Sequence, residues 1–219
     1  MKAVVGSPLE DVTYAVFTEF LIEHKNPGHR FIVYPQLSLK WKPEDENDRR
    51  AEVPDVGVGN FTLPGTNPPF KLRFGVEAKR AIAVMESLPP ASSLRANDDV
   101  LTAFHHLSYQ AKNQAKAAIK NYYPISHGTD TVQWILLIGP YWVPVTFGPF
   151  TDAQLTVRAH KTSSSADWKE SAKERKRVAG PPAALQEIFL LSEDASAKRL
   201  EEIISSTDEA AETLINALC

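Results

Sequence analysis

The chain of 219 residues contains a single cysteine, Cys219, and no long hydrophobic run. One cysteine cannot form an internal disulfide, which suits a reducing intracellular compartment. The longest apolar segment, residues 134–138, has the length of a buried strand, not the about 18 to 20 residues of a transmembrane helix. The N-terminal residues lack the apolar stretch of a secretory signal peptide. We therefore expect an intracellular protein, cytoplasmic or nuclear, that is not secreted and has no membrane partner.

Several motifs of common enzyme classes are also missing. The sequence contains no GxxxxGK[ST] of a nucleotide-binding P-loop and no GxSxG of an α/β-hydrolase. Gly57-Val58-Gly59 has neither the third glycine nor the following helix of a dinucleotide site. The net charge of −3 does not by itself indicate nucleic-acid binding. Function must therefore be sought in particular side chains.

Charged residues interrupt two apolar segments that the hydrophobic pattern predicts to be neighbouring strands. Pro54-Asp55 lies in the first segment, and Glu77-Ala78-Lys79 lies in the second. Glu77 and Lys79 are two residues apart, so on a strand their side chains share one face. A carboxylate inside a β core is costly unless a positive group holds it. A divalent metal ion is the obvious candidate.

The triplet Asp/Glu-x-Lys is weak evidence alone, because it occurs four times in the chain. The other copies begin at Glu23, Asp167 and Glu174, in polar or helix-like sequence. Acidic and basic neighbours in such sequence usually form a solvated face. Only the copy at Glu77 lies in an apolar strand pattern and follows a Pro-Asp strand. This position makes the copy at Glu77 a candidate functional motif, whereas the triplet alone does not.

The spacing of apolar residues predicts a helix, three strands, a second helix and two further strands. The predicted ranges are 7–25, then 31–41, 51–61 and 70–79, then 97–123, and finally 131–139 and 141–147. The first three strands are expected to form an antiparallel meander. Strand 131–139 is almost wholly apolar, which predicts a central strand covered on both faces.

Two regions are predicted along the chain. Residues 1–150 are expected to form the core domain. Residues 151–219 are expected to be a polar linker followed by a helical C-terminal extension that packs on or beside the core. Two or three short helices are predicted between residues 183 and 218.

The Pro-Asp strand, the Glu-x-Lys strand and this order of elements together resemble the PD-(D/E)XK nuclease superfamily. Pro54-Asp55 matches its PD, and Glu77-Ala78-Lys79 matches its (D/E)xK; the resemblance covers about residues 7–147. It implies an α/β fold of the α+β type, with a restriction-endonuclease-like αβββαβ core whose central mixed sheet is flanked by helices. It also implies an enzyme that uses Mg²⁺ or Mn²⁺ to hydrolyse phosphodiester bonds of nucleic acid by metal-activated water. DNA is favoured over RNA as the substrate.

The resemblance assigns roles to the matching residues. Asp55 and Glu77 are expected to bind the metal, with the backbone carbonyl of Ala78 as a further ligand. Lys79 is expected to orient or help deprotonate the attacking water, or to stabilise the charged phosphorane.

Helix-borne residues complete the expected site. The first helix is predicted to have an apolar stripe of Leu9, Val12, Val16 and Phe20. Glu19 borders this stripe and is the candidate for an additional metal-binding acid; Glu10 and Glu23 compete with it. Gln110, on the second helix, matches a glutamine that some members place near the active site. Gln114 lies one turn further on the same face, where the recombination-exonuclease branch often has a tyrosine.

Basic residues near these positions are candidates for nucleic-acid binding. Lys112 and Lys116 repeat at a spacing of four along the second helix, and Arg80 follows the Glu-x-Lys triplet. They are expected to contact phosphate groups, although a solvated helix face is an alternative. A homodimer is possible.

Two other interpretations remain open. The protein could be a catalytically inactive module that keeps the nuclease-like fold and binds nucleic acid or a protein partner. Alternatively, the motif is accidental, and Asp55 and Glu77 form ion pairs with Lys79 and Arg80. The accidental motif predicts that the two carboxylates lie far apart.

Overall fold

A mixed β-sheet with helices on both faces organises the chain in a computed structural model that describes residues 10–23, 32–40, 51–61, 70–122, 130–156 and 187–216. The helices are α1 (Glu10–Glu23), α2 (Ala91–Leu94), α3 (Asp98–Tyr122), α4 (Asp152–Thr156) and α5 (Asp194–Asn216), with a 3₁₀ turn at Ala83–Met85. The strands are β1 (Ile32–Pro35), β2 (Leu39–Lys40), β3 (Ala51–Glu52), β4 (Val56–Phe61), β5 (Phe70–Lys79), β6 (Val132–Ile138), β7 (Tyr141–Phe147) and β8 (Phe189–Leu190). None of these helices has both the length and the hydropathy needed to span a membrane.

Within the described residues, the main sheet has the strand order β1-β4-β5-β6-β7-β8. β5 and β6 are parallel, and every other neighbouring pair is antiparallel. Parallel neighbours require a long crossover connection, and α3 lies in the connection between β5 and β6. The α+β class and the mixed central sheet with helices, both predicted from the sequence, are confirmed.

Each face of the sheet packs against its own apolar layer. α3 covers one face, where its apolar stripe packs against Trp134, Leu136 and Ile138 of β6. Helical spacing in the sequence predicts this stripe, which consists of Val100, Phe104, Leu107, Ala111, Ala115, Ala118 and Tyr122. Asn97 caps this helix, because its side-chain oxygen accepts hydrogen bonds from the backbone N–H groups of Asp99 and Val100 at 3.1 and 3.2 Å. α1 and the first part of α5 cover the opposite face.

The buried face of α1 differs from the predicted one. Phe17 and Leu21 are fully buried, whereas Val16 and Phe20 of the predicted stripe are only partly buried. Apolar residues lie on several sides of this helix, so their periodicity does not select a single face. Glu19 is two residues from both Phe17 and Leu21, and residues at that spacing point to opposite sides of a helix. Glu19 is accordingly exposed.

Two of the predicted strands are each divided into two. The first predicted strand, 31–41, is interrupted at Gln36, which follows Pro35 and has a positive φ of 49°. The N–H of Gln36 donates to the carbonyl of Asp55 at 2.8 Å. In the second, Pro54 lies between β3 and β4 and has no N–H to donate to a ladder. β2 and β3 therefore pair with each other in a separate two-stranded sheet. β4 begins at Val56, and Asp55 lies just outside it.

The C-terminal region contributes to both the sheet and the core. β8 pairs with Tyr141 and Trp142 of β7, and Leu200 and Ile203 of α5 join the apolar layer that contains Phe17. The indole N–H of Trp142 also donates to the hydroxyl of Ser196 in α5 at 2.7 Å. The prediction of two or three short helices is wrong in one respect, because α5 is continuous from residue 194 to residue 216.

Gly75 provides the space that the largest buried side chain of β6 requires. It lies beside Trp134 in the parallel β5–β6 register. A Cβ atom at Gly75 would lie far inside the van der Waals contact distance of the Trp134 ring. Trp134 is fully buried, so its ring has little room to move.

We predict that Gly75→Ala destabilises the protein by about 1–3 kcal/mol, the usual cost of overpacking a core. Urea unfolding measures this change. The added methyl group acts through the indole, so Gly75→Ala should cost less in a Trp134→Phe background than in the wild type. Equal costs in both backgrounds would contradict the proposed contact.

Candidate active site

Asp55 is held at the end of the sheet by a backbone hydrogen bond. The β4–β5 register pairs Val56 with Val76, so the next step along both strands places Asp55 opposite Glu77. Asp55 Oδ2 accepts a hydrogen bond from the Ala78 N–H at 2.6 Å. The carboxylate of Asp55 thus accepts the hydrogen bond that a backbone carbonyl would accept if β4 were longer. The two carboxylates predicted to bind metal are cross-strand neighbours.

The carbonyl of Ala78 points toward the same side of β5 as Asp55. A residue in an extended strand directs its N–H and its C=O toward the same neighbouring strand. The Ala78 N–H meets Asp55, so its C=O also faces the position where β4 has ended. The backbone C=O of Lys79 faces the other neighbouring strand, β6, because it accepts the N–H of Gly139 at 2.8 Å.

Glu77 is an acidic side chain in the interior of the protein, with 1% of its surface exposed. Two amides of α3 donate to its carboxylate: Gln110 Nε2 to Oε1, and Gln114 Nε2 to Oε2 at 2.6 Å. The two glutamines are one helical turn apart and therefore share a face. Their N–H groups offset part of the cost of removing a carboxylate from water.

Lys79 supplies the positive charge at this site. Its Nζ is 3.8 Å from Glu77 Oε1, and its side chain is 38% exposed. The ammonium group thus contacts the buried carboxylate while remaining accessible to solvent. Arg80, which follows directly, is exposed.

Gln114 is a site residue that sequence analysis did not identify. Its Nε2 also donates to the carbonyl of Val53 at 3.3 Å. In the sequence, Gln114 is distinguished only by its position. It is an amide four residues after Gln110, and it lies on the border of a helical stripe formed by alanine and larger apolar residues. The spacing indicated that the two amides share a face, but not that Glu77 would lie beneath them.

Glu19 is not brought to Asp55 and Glu77. α1 packs on the sheet face opposite α3, and Glu19 is on the exposed side of that helix. Glu23, a competing candidate, is also exposed, and the side chain of Glu10 lies outside the described residues. Among the side chains that the structure describes, no group of three or more His, Cys, Asp or Glu is placed to hold a metal ion. Within the described part of the chain, Asp55 and Glu77 are the two carboxylates of the site.

Lys112 and Lys116 lie on a different side of α3 from the two glutamines. Each follows a site glutamine by two residues, a spacing that directs side chains to opposite sides of a helix. Lys112 is exposed. Lys116 is only 8% exposed, and its Nζ lies 5.8 Å from the centre of the Phe150 ring. Neither lysine is directed toward the carboxylates, and the phosphate contacts expected for them stay a prediction separate from this pair of acids.

Burial, followed by repulsion from Lys112, lowers the pKa of Lys116 below its usual value of 10.5. Over the pH range between this lowered pKa and 10.5, the unfolded chain binds more protons than the folded protein. The Lys116 contribution to the free energy of unfolding therefore rises with pH over that range.

We predict that Lys116→Met removes this part of the pH dependence. Urea unfolding at a series of alkaline pH values measures it. Lys198→Met, at an exposed lysine of α5, is the matched control and should keep the wild-type pH dependence. The same slope in the Lys116→Met variant as in the wild type would contradict the prediction.

Comparison with known proteins gives no match: no protein-family profile, curated protein or solved structure matches this chain. The functional argument therefore depends on the geometry and chemistry of the site.

Proposed function

We propose that this protein is a metal-dependent nuclease of the PD-(D/E)XK type that hydrolyses phosphodiester bonds of nucleic acid, with DNA favoured over RNA. The main support is the placement of Asp55 opposite Glu77 at the ends of two adjacent strands, with Lys79 beside Glu77. The alternative of an accidental motif predicts two carboxylates that lie far apart, whereas the β4–β5 register, extended by one residue, brings Asp55 opposite Glu77. The order α1, β1-β4-β5, α3, β6 supports the proposed restriction-endonuclease-like core.

The donor atoms at this position fit Mg²⁺ or Mn²⁺. Both ions accept oxygen ligands, and Mg²⁺ commonly uses one or two carboxylates and keeps several waters. Asp55, Glu77 and the carbonyl of Ala78 provide oxygens on one side of the end of β5. When bound, the ion would neutralise phosphate charge and lower the pKa of a coordinated water.

The chain's own residues then have distinct roles. The Ala78 N–H fixes the carboxylate of Asp55, and the two glutamine amides orient that of Glu77. Gln110 is assigned to the site in this orienting role. Lys79 holds a positive charge beside Glu77 at a position open to solvent, where it can orient the attacking water or stabilise charge that develops on the phosphate.

A second candidate function is a nuclease-like module that binds nucleic acid or a protein partner without cutting. The observation that favours it is the small number of acids. Among the residues that the structure describes, the site has two carboxylates, and Glu19 is on the other side of the sheet. A site with fewer acidic ligands binds a cation more weakly. The two functions differ in metal binding and in cleavage.

We predict that the wild-type protein binds Mn²⁺ and cleaves DNA in its presence. Asp55→Asn and Glu77→Gln remove the ligand charges, so both variants should lose Mn²⁺ binding in calorimetric titration and lose cleavage. Lys79→Met should retain Mn²⁺ binding but slow cleavage by about 10²-fold or more, the usual range for a group that assists proton transfer.

Glu19→Gln is the matched control, since it makes the same acid-to-amide change at an exposed position of α1. It should leave Mn²⁺ affinity and cleavage unchanged. A loss in Glu19→Gln as large as that in Glu77→Gln would show that the site has been assigned the wrong acids. Cleavage of RNA but not DNA would overturn the substrate preference. A wild-type protein that neither binds Mn²⁺ nor cuts would favour the non-catalytic module.

A further inference from the structure

Gln114 is a polar residue in a position where an apolar side chain would be expected. It is 1% exposed, on a face of α3 where Ala111, Ala115 and Ala118 are fully buried against the sheet. Burying an amide is unfavourable unless its groups form hydrogen bonds. A methionine of similar length would fill the same space without this cost. The presence of a glutamine therefore requires an explanation from its contacts.

The amide nitrogen of Gln114 connects two separate segments of the site. Nε2 donates to Glu77 Oε2 at 2.6 Å and to the backbone carbonyl of Val53 at 3.3 Å. An amide NH₂ has two hydrogens, so one hydrogen serves each bond. Val53 immediately precedes Pro54-Asp55, the segment that positions the other carboxylate. A single side chain thus links Glu77 on β5 to the segment that bears Asp55.

The orientation of the amide shows which of its contacts is favoured. Gln114 Oε1 is buried, and within the described residues it has no hydrogen-bond partner. Reversing the amide would direct Oε1 at the carboxylate of Glu77, so that two acceptors would face each other. The observed orientation leaves an acceptor unsatisfied and keeps a donor on Glu77.

We propose that Gln114 is a positioning residue that fixes the arrangement of Asp55 relative to Glu77, and that the affinity for a divalent cation depends on it. This inference rests on the proposed function of the same site. Gln110 also donates to Glu77, but Gln114 adds the bond to Val53. Removing Gln114 would therefore remove one of the two amide donors to Glu77 and the bond that ties Glu77 to the Asp55 segment.

The test is calorimetric titration of the full-length protein with Mn²⁺. Gln114→Met keeps the length of the side chain but removes both hydrogen bonds, and it should weaken Mn²⁺ binding about 10- to 100-fold, the usual effect of losing a partner of a metal ligand. Gln110→Met should weaken binding less, since the bond to Val53 remains. With Mn²⁺ at saturating concentration, cleavage by Gln114→Met should recover much of its rate, because its defect is in affinity.

Gln133→Met is the matched control. Gln133 is partly buried, and its Oε1 also has no hydrogen-bond partner within the described residues. It lies two residues before Ile135, so it belongs to the sheet face opposite Glu77. This variant should bind Mn²⁺ as the wild type does. Gln114→Asn, which is one methylene too short to make both bonds, should weaken binding and provides the same test if Gln114→Met does not fold.

The outcomes separate this inference from the proposed function. A wild-type protein that binds no Mn²⁺ would overturn both. Wild-type binding, with unchanged affinity in a folded Gln114 variant, would overturn the positioning role alone. An equal loss in Gln110→Met and Gln114→Met would show that both residues act only on Glu77, and that the bond to Val53 does not matter.

Discussion

A carboxylate buried between a β-sheet and a helix is the constraint on which this site depends. Glu77 is on β5 under α3, where water does not satisfy it, so the protein must provide donors. Two glutamines provide them from one side of α3, and Lys79 adds a positive charge at the border with solvent. The helix must therefore cross the sheet in a position that places residues 110 and 114 over Glu77. The position in which α3 packs on the sheet therefore also determines the hydrogen bonds of the site.

The second carboxylate depends on an interruption of the sheet. Pro54 cannot donate a ladder hydrogen bond, and β4 consequently begins only at Val56. Because β4 starts there, none of its backbone carbonyls accepts the N–H of Ala78. Asp55 accepts this N–H with a side-chain oxygen instead. A continuous strand would have satisfied Ala78 with a carbonyl and directed Asp55 elsewhere. Together with the positive φ of Gln36, the same interruption separates β2 and β3 into their own two-stranded sheet.

The sequence predicted the part of the site that depends on local order along strands. Glu77 and Lys79 share a face because of the two-residue period, and Asp55 could be placed on the neighbouring strand. The position of Glu19 could not be predicted, since α1 has apolar residues on several sides and only packing selects Phe17 and Leu21 for burial. Gln114 was missed for a related reason: the spacing of the helix gives its direction, whereas its partner depends on how α3 lies on the sheet.

The placement of the cations restricts how a phosphate could approach the proposed site. Lys116 is buried beside Phe150, and Lys112 lies on the same side of α3, away from the glutamines. Lys79, in contrast, lies beside Glu77 at the end of β5 with its side chain 38% exposed, and the next residue, Arg80, is exposed. A nucleic acid bound for hydrolysis would therefore meet the protein at the end of the sheet, not along the outer face of α3. The phosphate contacts predicted for Lys112 and Lys116 from their spacing along the helix stay a prediction, separate from this site.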